Sequence, residues 1–255
     1  MLRDFTCEAF DILIQAGQSN AEGCGIGPVD CPYEPNDRVY YLNSDFTVTQ
    51  ACERVVGNHI QSNFSLSFAR KYIREGRLGE GRKLLILRTA VGGTGFLDKR
   101  WGMTDDLYLQ MMAMIRAALA LNPANRLVAL LWHQGETDAI FQASRDLHYG
   151  HLLAFLNSVR ETFGMQNLPF IAGDFVQHWK NDNIGICIPV VDAIRRVCAD
   201  QPCCAFVETE GLLSNTQEIW QKPEEIDDTI HFSRKSIYAL GERYYDAFAE
   251  ITPAC

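Results

Sequence analysis

Asp11-Ile12-Leu13-Ile14-Gln15-Ala16 runs into Gly17-Gln18-Ser19-Asn20. Six mainly apolar residues are too short a run for a buried helix and suit a strand, which the glycine and polar residues then end abruptly. The pattern recurs along the chain. Lys83 to Thr89, Leu127 to Trp132, Pro169 to Phe175 and Cys204 to Glu208 each read as a short apolar run closed by a glycine, a polar turn or acids, and Arg38 to Leu42 reads as an edge strand. Near-continuous apolar strands of this kind belong to a parallel sheet covered on both faces.

Helical periodicity fills the intervals. Leu107, Met111, Met114, Ile115 and Ala118 share one helix face, opened by Thr104-Asp105-Asp106 and closed before Pro123. Leu152, Phe155, Leu156, Val159 and Phe163 repeat the pattern up to Gly164, and Ile237, Leu240, Tyr244 and Phe248 follow a cap at Ser233. Weaker helical signals cover Phe64 to Glu75 and Ile188 to Cys198. With no repeat or linker between them, these elements predict a single domain over residues 1–255, an α/β/α sandwich around a parallel sheet of about five strands. In such a sheet the ligand sits at the carboxyl ends of the strands.

Composition narrows the function. The 255 residues are 47% hydrophobic and 22% charged, enough for one well-buried core without staples. Lys plus Arg number 23 against 32 Asp plus Glu, and the net charge of −9 repels phosphate, so neither nucleic acid nor an anionic membrane is an expected partner. The apolar run Leu127 to Trp132 falls far short of the roughly 18 residues a membrane span needs. Acids in Met1-Leu2-Arg3-Asp4-Phe5-Thr6-Cys7-Glu8 stand where a signal peptide would be apolar, and the expected location is the cytoplasm. Nine cysteines without a Cys-x-x-Cys pair predict reduced, mostly buried thiols. His148 and His151, three apart, read as a solvated helix face because no third metal ligand is in view.

Four strand-end features carry the chemistry. Ser19 could cap a helix, yet Gly23-Cys24-Gly25-Ile26-Gly27-Pro28 leaves little helix to cap. Thr89-Ala90-Val91-Gly92-Gly93-Thr94-Gly95 is a tight turn or a ligand-approaching loop, and it matches neither the Rossmann pattern nor a P-loop. In Trp132-His133-Gln134-Gly135-Glu136-Thr137-Asp138, the neutral amide of Gln134 suits an oxyanion hole, while Glu136 and Asp138 read equally as caps or substrate ligands. Asp228-Thr229-Ile230-His231 lets a carboxylate reach back to an imidazole that could take the Ser19 proton. Glu224, Glu225 and Asp227 are competing acids, and spacing favours Asp228.

Together the blocks Gly17-Gln18-Ser19-Asn20, Gly92-Gly93-Thr94, Gln134-Gly135-Glu136-x-Asp138 and Asp228-x-x-His231 resemble those of the SGNH hydrolases. Within them they resemble the branch of sialate O-acetylesterases and carbohydrate esterase family 6 acetylxylan esterases. The most specific element is the Gln-Gly-Glu-x-Asp block, because this branch has Gln where other SGNH hydrolases have Asn. The Gly-x-Ser-x-Gly elbow of the α/β-hydrolases is absent. The resemblance implies a flavodoxin-like fold and an acetylated carbohydrate substrate, with no metal or organic cofactor. It implies Ser19 as nucleophile, His231 as base and then acid, and Asp228 holding His231. It also implies an oxyanion hole from the Ser19 N–H, the Gly92 N–H and the Gln134 amide, with Gly93 as the alternative to Gly92. His133 stands where the branch often has Tyr, implying a different pocket wall, and Trp101 and Trp179 either stack on sugar rings or plug the core rim. Two competing functions are hydrolysis of longer acyl esters or thioesters, and a flavodoxin-like binding module in which Ser19 and His231 are remnants.

Overall fold

The computed structural model describes residues 5–218 and 227–252. Its strands are β1 (Ala9–Gly17), β2 (Val39–Leu42), β3 (Val48–Gln50), β4 (Arg54–Val56), β5 (His59–Gln61), β6 (Arg82–Arg88), β7 (Arg126–His133), β8 (Phe170–Gly173) and β9 (Cys204–Val207). One sheet has the order β3-β2-β6-β1-β7-β8-β9, parallel throughout except where β3 runs against β2, and β4 and β5 form a separate hairpin. The sheet thus has seven strands where about five were expected. β2 is not the edge, because β3 folds back on it through the turn from Asn43 to Thr47. Three residues are too few for β3 to show an alternating pattern of its own.

The sheet separates two apolar layers by strict alternation. Phe10, Ile12, Ile14 and Ala16 of β1 point to one layer with Met111, Phe155 and Val190, whereas Leu13 points to the other with Phe64, Phe68 and Tyr244. Helices Asp106–Ala120, Arg145–Thr162 and Ile184–Asp200 cover the first face, and Phe64–Arg74 with Arg234–Ile251 cover the second. Ser233 caps its helix as expected, accepting the Ser236 N–H, and Gly164 ends another at φ +64°.

At the amino ends of the strands, the buried Asp11 carboxylate binds Arg82 and Arg126, each at 2.7 Å, and accepts the Tyr72 hydroxyl at 2.8 Å. Burial raises its pKa, but those partners outweigh burial and hold Asp11 below the usual carboxylate range. This end is locked, and the carboxyl ends carry the polar residues picked out above. Two other expectations change. The eight described cysteines are all free, but only Cys187 and Cys198 are buried, because Cys7, Cys31 and Cys52 lie exposed outside the helices and sheet strands. Met1 to Asp4, quoted for the leader reading, lie outside the described residues, among which no helix is long and apolar enough to cross a membrane.

Candidate active site

The turn that carries Ser19 begins at Gly17, where a Cβ would stand 2.1 Å from the His133 carbonyl oxygen and φ is +129°. Only glycine lets β1 and β7 end this close together. Gln18 then donates its N–H to His133 O at 2.9 Å, and the chain turns into the four-residue helix Ser19–Glu22, ended by Gly23. Ser19 is thereby held at the strand's carboxyl end, 8% exposed.

Three of the predicted residues come into one chain of hydrogen bonds. Ser19 Oγ lies 2.8 Å from His231 Nε2, and His231 Nδ1 lies 2.8 and 3.0 Å from the two Asp228 oxygens. A carboxylate at Nδ1 keeps the proton there, so Nε2 faces the Ser19 hydroxyl as an acceptor. Asp228 is itself fixed: Asn215 Nδ2 donates to Oδ2 at 2.8 Å, and the Asp228 N–H donates to Thr216 Oγ1 at 2.6 Å. Burial raises the Asp228 pKa, but the bonds from His231 and Asn215 outweigh it and leave the group below the usual carboxylate value. Asp227 is exposed, and Glu224 and Glu225 lie outside the described residues.

Asn20 has a role that the sequence did not reveal. Its Nδ2 donates to Ile230 O at 3.0 Å and to Glu136 Oε1 at 2.8 Å, and its Oδ1 accepts the Phe232 N–H at 3.1 Å. One side chain grips the backbone on both sides of His231. With His231 read as the base of an ester hydrolase, Asn20→Ala should lower kcat on nitrophenyl acetate by about 10- to 100-fold with little change in KM, since misplacing such a group by about 1 Å costs that much. Steady-state kinetics beside a thermal melt checks this, and an unchanged kcat in a folded variant would refute it.

The oxyanion candidates are arranged less simply. A Cβ at Gly92 would stand 3.5 Å from Ser19 Cβ, so the turn after β6 lies against Ser19. The Gly92 N–H, however, donates to Glu22 Oε2 at 2.8 Å, and Glu22 Oε1 pairs with Arg54 at 2.9 Å. The N–H groups of Ser19 and Gly93 have no acceptor among the described residues. Gln134 donates from Nε2 to Asp138 Oδ2 at 2.8 Å, with longer contacts to Thr94 O at 3.3 Å and Gln18 Oε1 at 3.4 Å. The carboxylate fixes which end of the amide is the nitrogen, and one amide proton is left weakly held.

Glu136 and Asp138 turn out to be buried struts rather than caps or substrate ligands. Asp138 also accepts the N–H groups of Phe96 at 3.1 Å and Leu97 at 2.8 Å, and His148 Nδ1 stands 3.4 Å away. Burial raises Asp138, but His148 and those backbone bonds outweigh it and lower its pKa. Burial pushes the Glu136 carboxyl up, with Oε1 on Asn20 and Oε2 without a partner among the described residues. His148 is not solvated: it is buried edge-on to Phe96, 5.6 Å between ring centroids, because its helix turns that side toward the Gly-rich loop.

His133 is not a pocket wall either. It is fully buried, its Nδ1 2.9 Å from the Tyr244 hydroxyl, which donates to Trp132 O, and burial depresses its pKa to about 3. Trp101 plugs the core, with Nε1 on Thr94 Oγ1 at 3.0 Å and its ring edge-on to Trp132 at 5.1 Å. Half-buried Trp179 packs on Phe175 at 5.8 Å.

Comparison with known proteins follows the same lines. The family model described as carbohydrate esterase, sialic acid-specific acetylesterase, matches residues 9–250. A protein of Escherichia coli (strain K12) named "Probable 9-O-acetyl-N-acetylneuraminic acid deacetylase" is 33% identical over an alignment 175 positions long that covers 60% of this chain and 51% of that protein. The chain thus spans about half the length of the curated relative it matches. The crystal structure of NanS matches with a TM-score of 0.80 at 20% identity, covering 95% of this chain and 97% of that one. A protein from Arabidopsis thaliana matches at 0.73 and 20% identity over 94% and 98% of the two chains. A carbohydrate acetylesterase from Xanthomonas citri matches at 0.61 and 14% identity over 94% and 56%. At these identities the solved structures speak for the α/β/α fold.

Proposed function

The chain belongs to the sialic acid-specific acetylesterase family of carbohydrate esterases, and on that premise we propose that it hydrolyses O-acetyl esters of carbohydrates. The observation that carries the proposal is the unbroken contact from Asp228 through His231 to Ser19 Oγ, at 2.8 Å in each link. Ser19 Oγ attacks the acetyl carbonyl while His231 Nε2 takes its proton. The tetrahedral intermediate collapses as His231 returns that proton to the departing sugar oxygen, leaving an acetyl-serine. Water, deprotonated by His231, then releases acetate. The N–H groups of Ser19 and Gly92 and the loosely held proton of Gln134 receive the oxyanion, the Gly92 N–H exchanging Glu22 for it; Gly93 is the alternative donor. Residues 9–250 act as one domain in this proposal. Free, partly exposed thiols suit a reducing compartment, and a cytoplasmic setting belongs to the same proposal.

Acetate release from acetylated xylo-oligosaccharide, acetylated sialic acid and acetylated hexoses tests it. Release from at least one is expected. Hydrolysis of long-chain nitrophenyl esters without any of these would favour a different SGNH esterase, and no hydrolysis at all would favour a binding module. Gln134→Ala should cut kcat by about 10² to 10³ with little change in KM, because an interaction made to developing charge is lost only in the transition state. A raised KM at normal kcat would instead assign Gln134 to sugar binding.

A further inference from the structure

The Glu22 carboxylate sits where the proposed chemistry develops negative charge. Its Oε2 accepts the Gly92 N–H at 2.8 Å, and the Gly92 turn lies against Ser19, so an ester oxygen reaching that N–H meets a carboxylate already in place. Its Oε1 pairs with Arg54 Nη1 at 2.9 Å. Arg54 opens β4 and is itself tied down, Nε donating to Gln61 Oε1 across the hairpin and Nη2 to Gly23 O, each at 2.9 Å. The guanidinium is thus fixed by two partners besides Glu22. Arg88 lines a cavity beside Glu22, but its own contacts are with Asn43 and the Tyr41 ring.

Two negative oxygens that share one N–H repel each other, and the repulsion is greatest when the ester oxygen carries its full charge, in the transition state. A carboxylate that gives up Gly92 but stays on a fixed guanidinium keeps its counter-charge. We infer that Glu22 is a built-in occupant of the Gly92 N–H, and that Arg54 is a positioning residue that holds the displaced carboxylate while the oxyanion takes its place. The ion pair then sets how readily the oxyanion forms, although neither side chain has to touch the sugar. The inference rests on the deacetylase proposal and adds a control on its rate. Both side chains are half-buried, and an ion pair of this exposure contributes little to stability, so variants at either position should fold.

The test compares wild type, Glu22→Gln, Arg54→Gln and the double variant on nitrophenyl acetate. Arg54→Gln should lower kcat about tenfold with little change in KM, because a carboxylate without its counter-charge then faces the oxyanion. Glu22→Gln should raise kcat about threefold or more, since a neutral occupant holds the N–H less tightly than a charged one. The double variant should come within about threefold of Glu22→Gln, because without the carboxylate Arg54 has nothing to offset. An Arg54 that only braces the hairpin through Gln61 and Gly23 would leave the double variant as slow as Arg54→Gln, and that result overturns the inference. So does an unchanged kcat in Arg54→Gln, or a Glu22→Gln no faster than wild type. A second arm needs no turnover. In a nitrogen–proton correlation spectrum the Gly92 amide proton should move upfield in Glu22→Gln and stay near its wild-type position in Arg54→Gln, and an unmoved signal in Glu22→Gln overturns the occupancy. If the wild type hydrolyses no acetyl ester, the deacetylase proposal fails and takes the role of Arg54 in turnover with it, while the amide shift still decides whether Glu22 holds Gly92.

Discussion

Ser19→Ala is expected to lower hydrolysis of nitrophenyl acetate by about a thousandfold or more and to leave a folded protein, because the proposed covalent nucleophile is gone while the scaffold around it is not. The hydroxyl's partner is His231 Nε2 at 2.8 Å, and removing it breaks that one contact. The backbone bonds that shape the turn remain, Gln18 N–H to His133 O at 2.9 Å and Gly23 N–H to Ser19 O at 2.8 Å. Alanine fits where serine did, so the melting temperature should move by no more than a few degrees, as a change of about 1 kcal/mol implies. Activity and circular dichroism are read together. Near-normal turnover in the folded variant would remove Ser19 from the chemistry, and the acetyl-enzyme with it.

How much of this was legible in the sequence depended on which physical rule governed each residue. β1, β6 and β7 could be read because strands in the middle of a parallel sheet are buried on both faces and therefore apolar throughout. β3 and the β4–β5 hairpin could not, since each strand is three residues long and largely exposed, with no apolar face to betray it. The rim residues were legible because a parallel sheet gathers its ligands at one end, so polar residues just after apolar runs stand out. The struts behind them were not. Asn20 meets Glu136 across 116 positions and the His231 segment across more than 200, and no local spacing encodes such a meeting. His133 was misread because alternation along β7 sends Trp132 to one layer and His133 to the other, and the helices cover both.

Asp228→Asn should lower kcat by about 10³- to 10⁴-fold, while Asp227→Asn should stay within about twofold of wild type. The asymmetry follows from what an amide would do at each place. Asp227 is exposed, and its charge is screened by water. At Asp228 the carboxylate accepts from both His231 Nδ1 and Asn215 Nδ2. An amide cannot accept at both ends: if its NH₂ turns toward His231, the imidazole proton moves to Nε2 and the acceptor facing Ser19 is lost. If it turns toward Asn215, two donors oppose each other in a half-buried site, and the imidazolium formed during attack has no counter-charge. The sign of the pH dependence follows for Asp228. Because the folded-state pKa of Asp228 is lowered, its contribution to stability is complete above the usual carboxylate value and is lost as pH falls through the lowered one. Asp228 therefore stays ionised in mild acid and keeps its hold on His231 Nδ1 there. A pH–rate profile for wild type, Asp228→Asn and Asp227→Asn decides between them. If Asp227→Asn is the damaged variant, the acid role passes to Asp227.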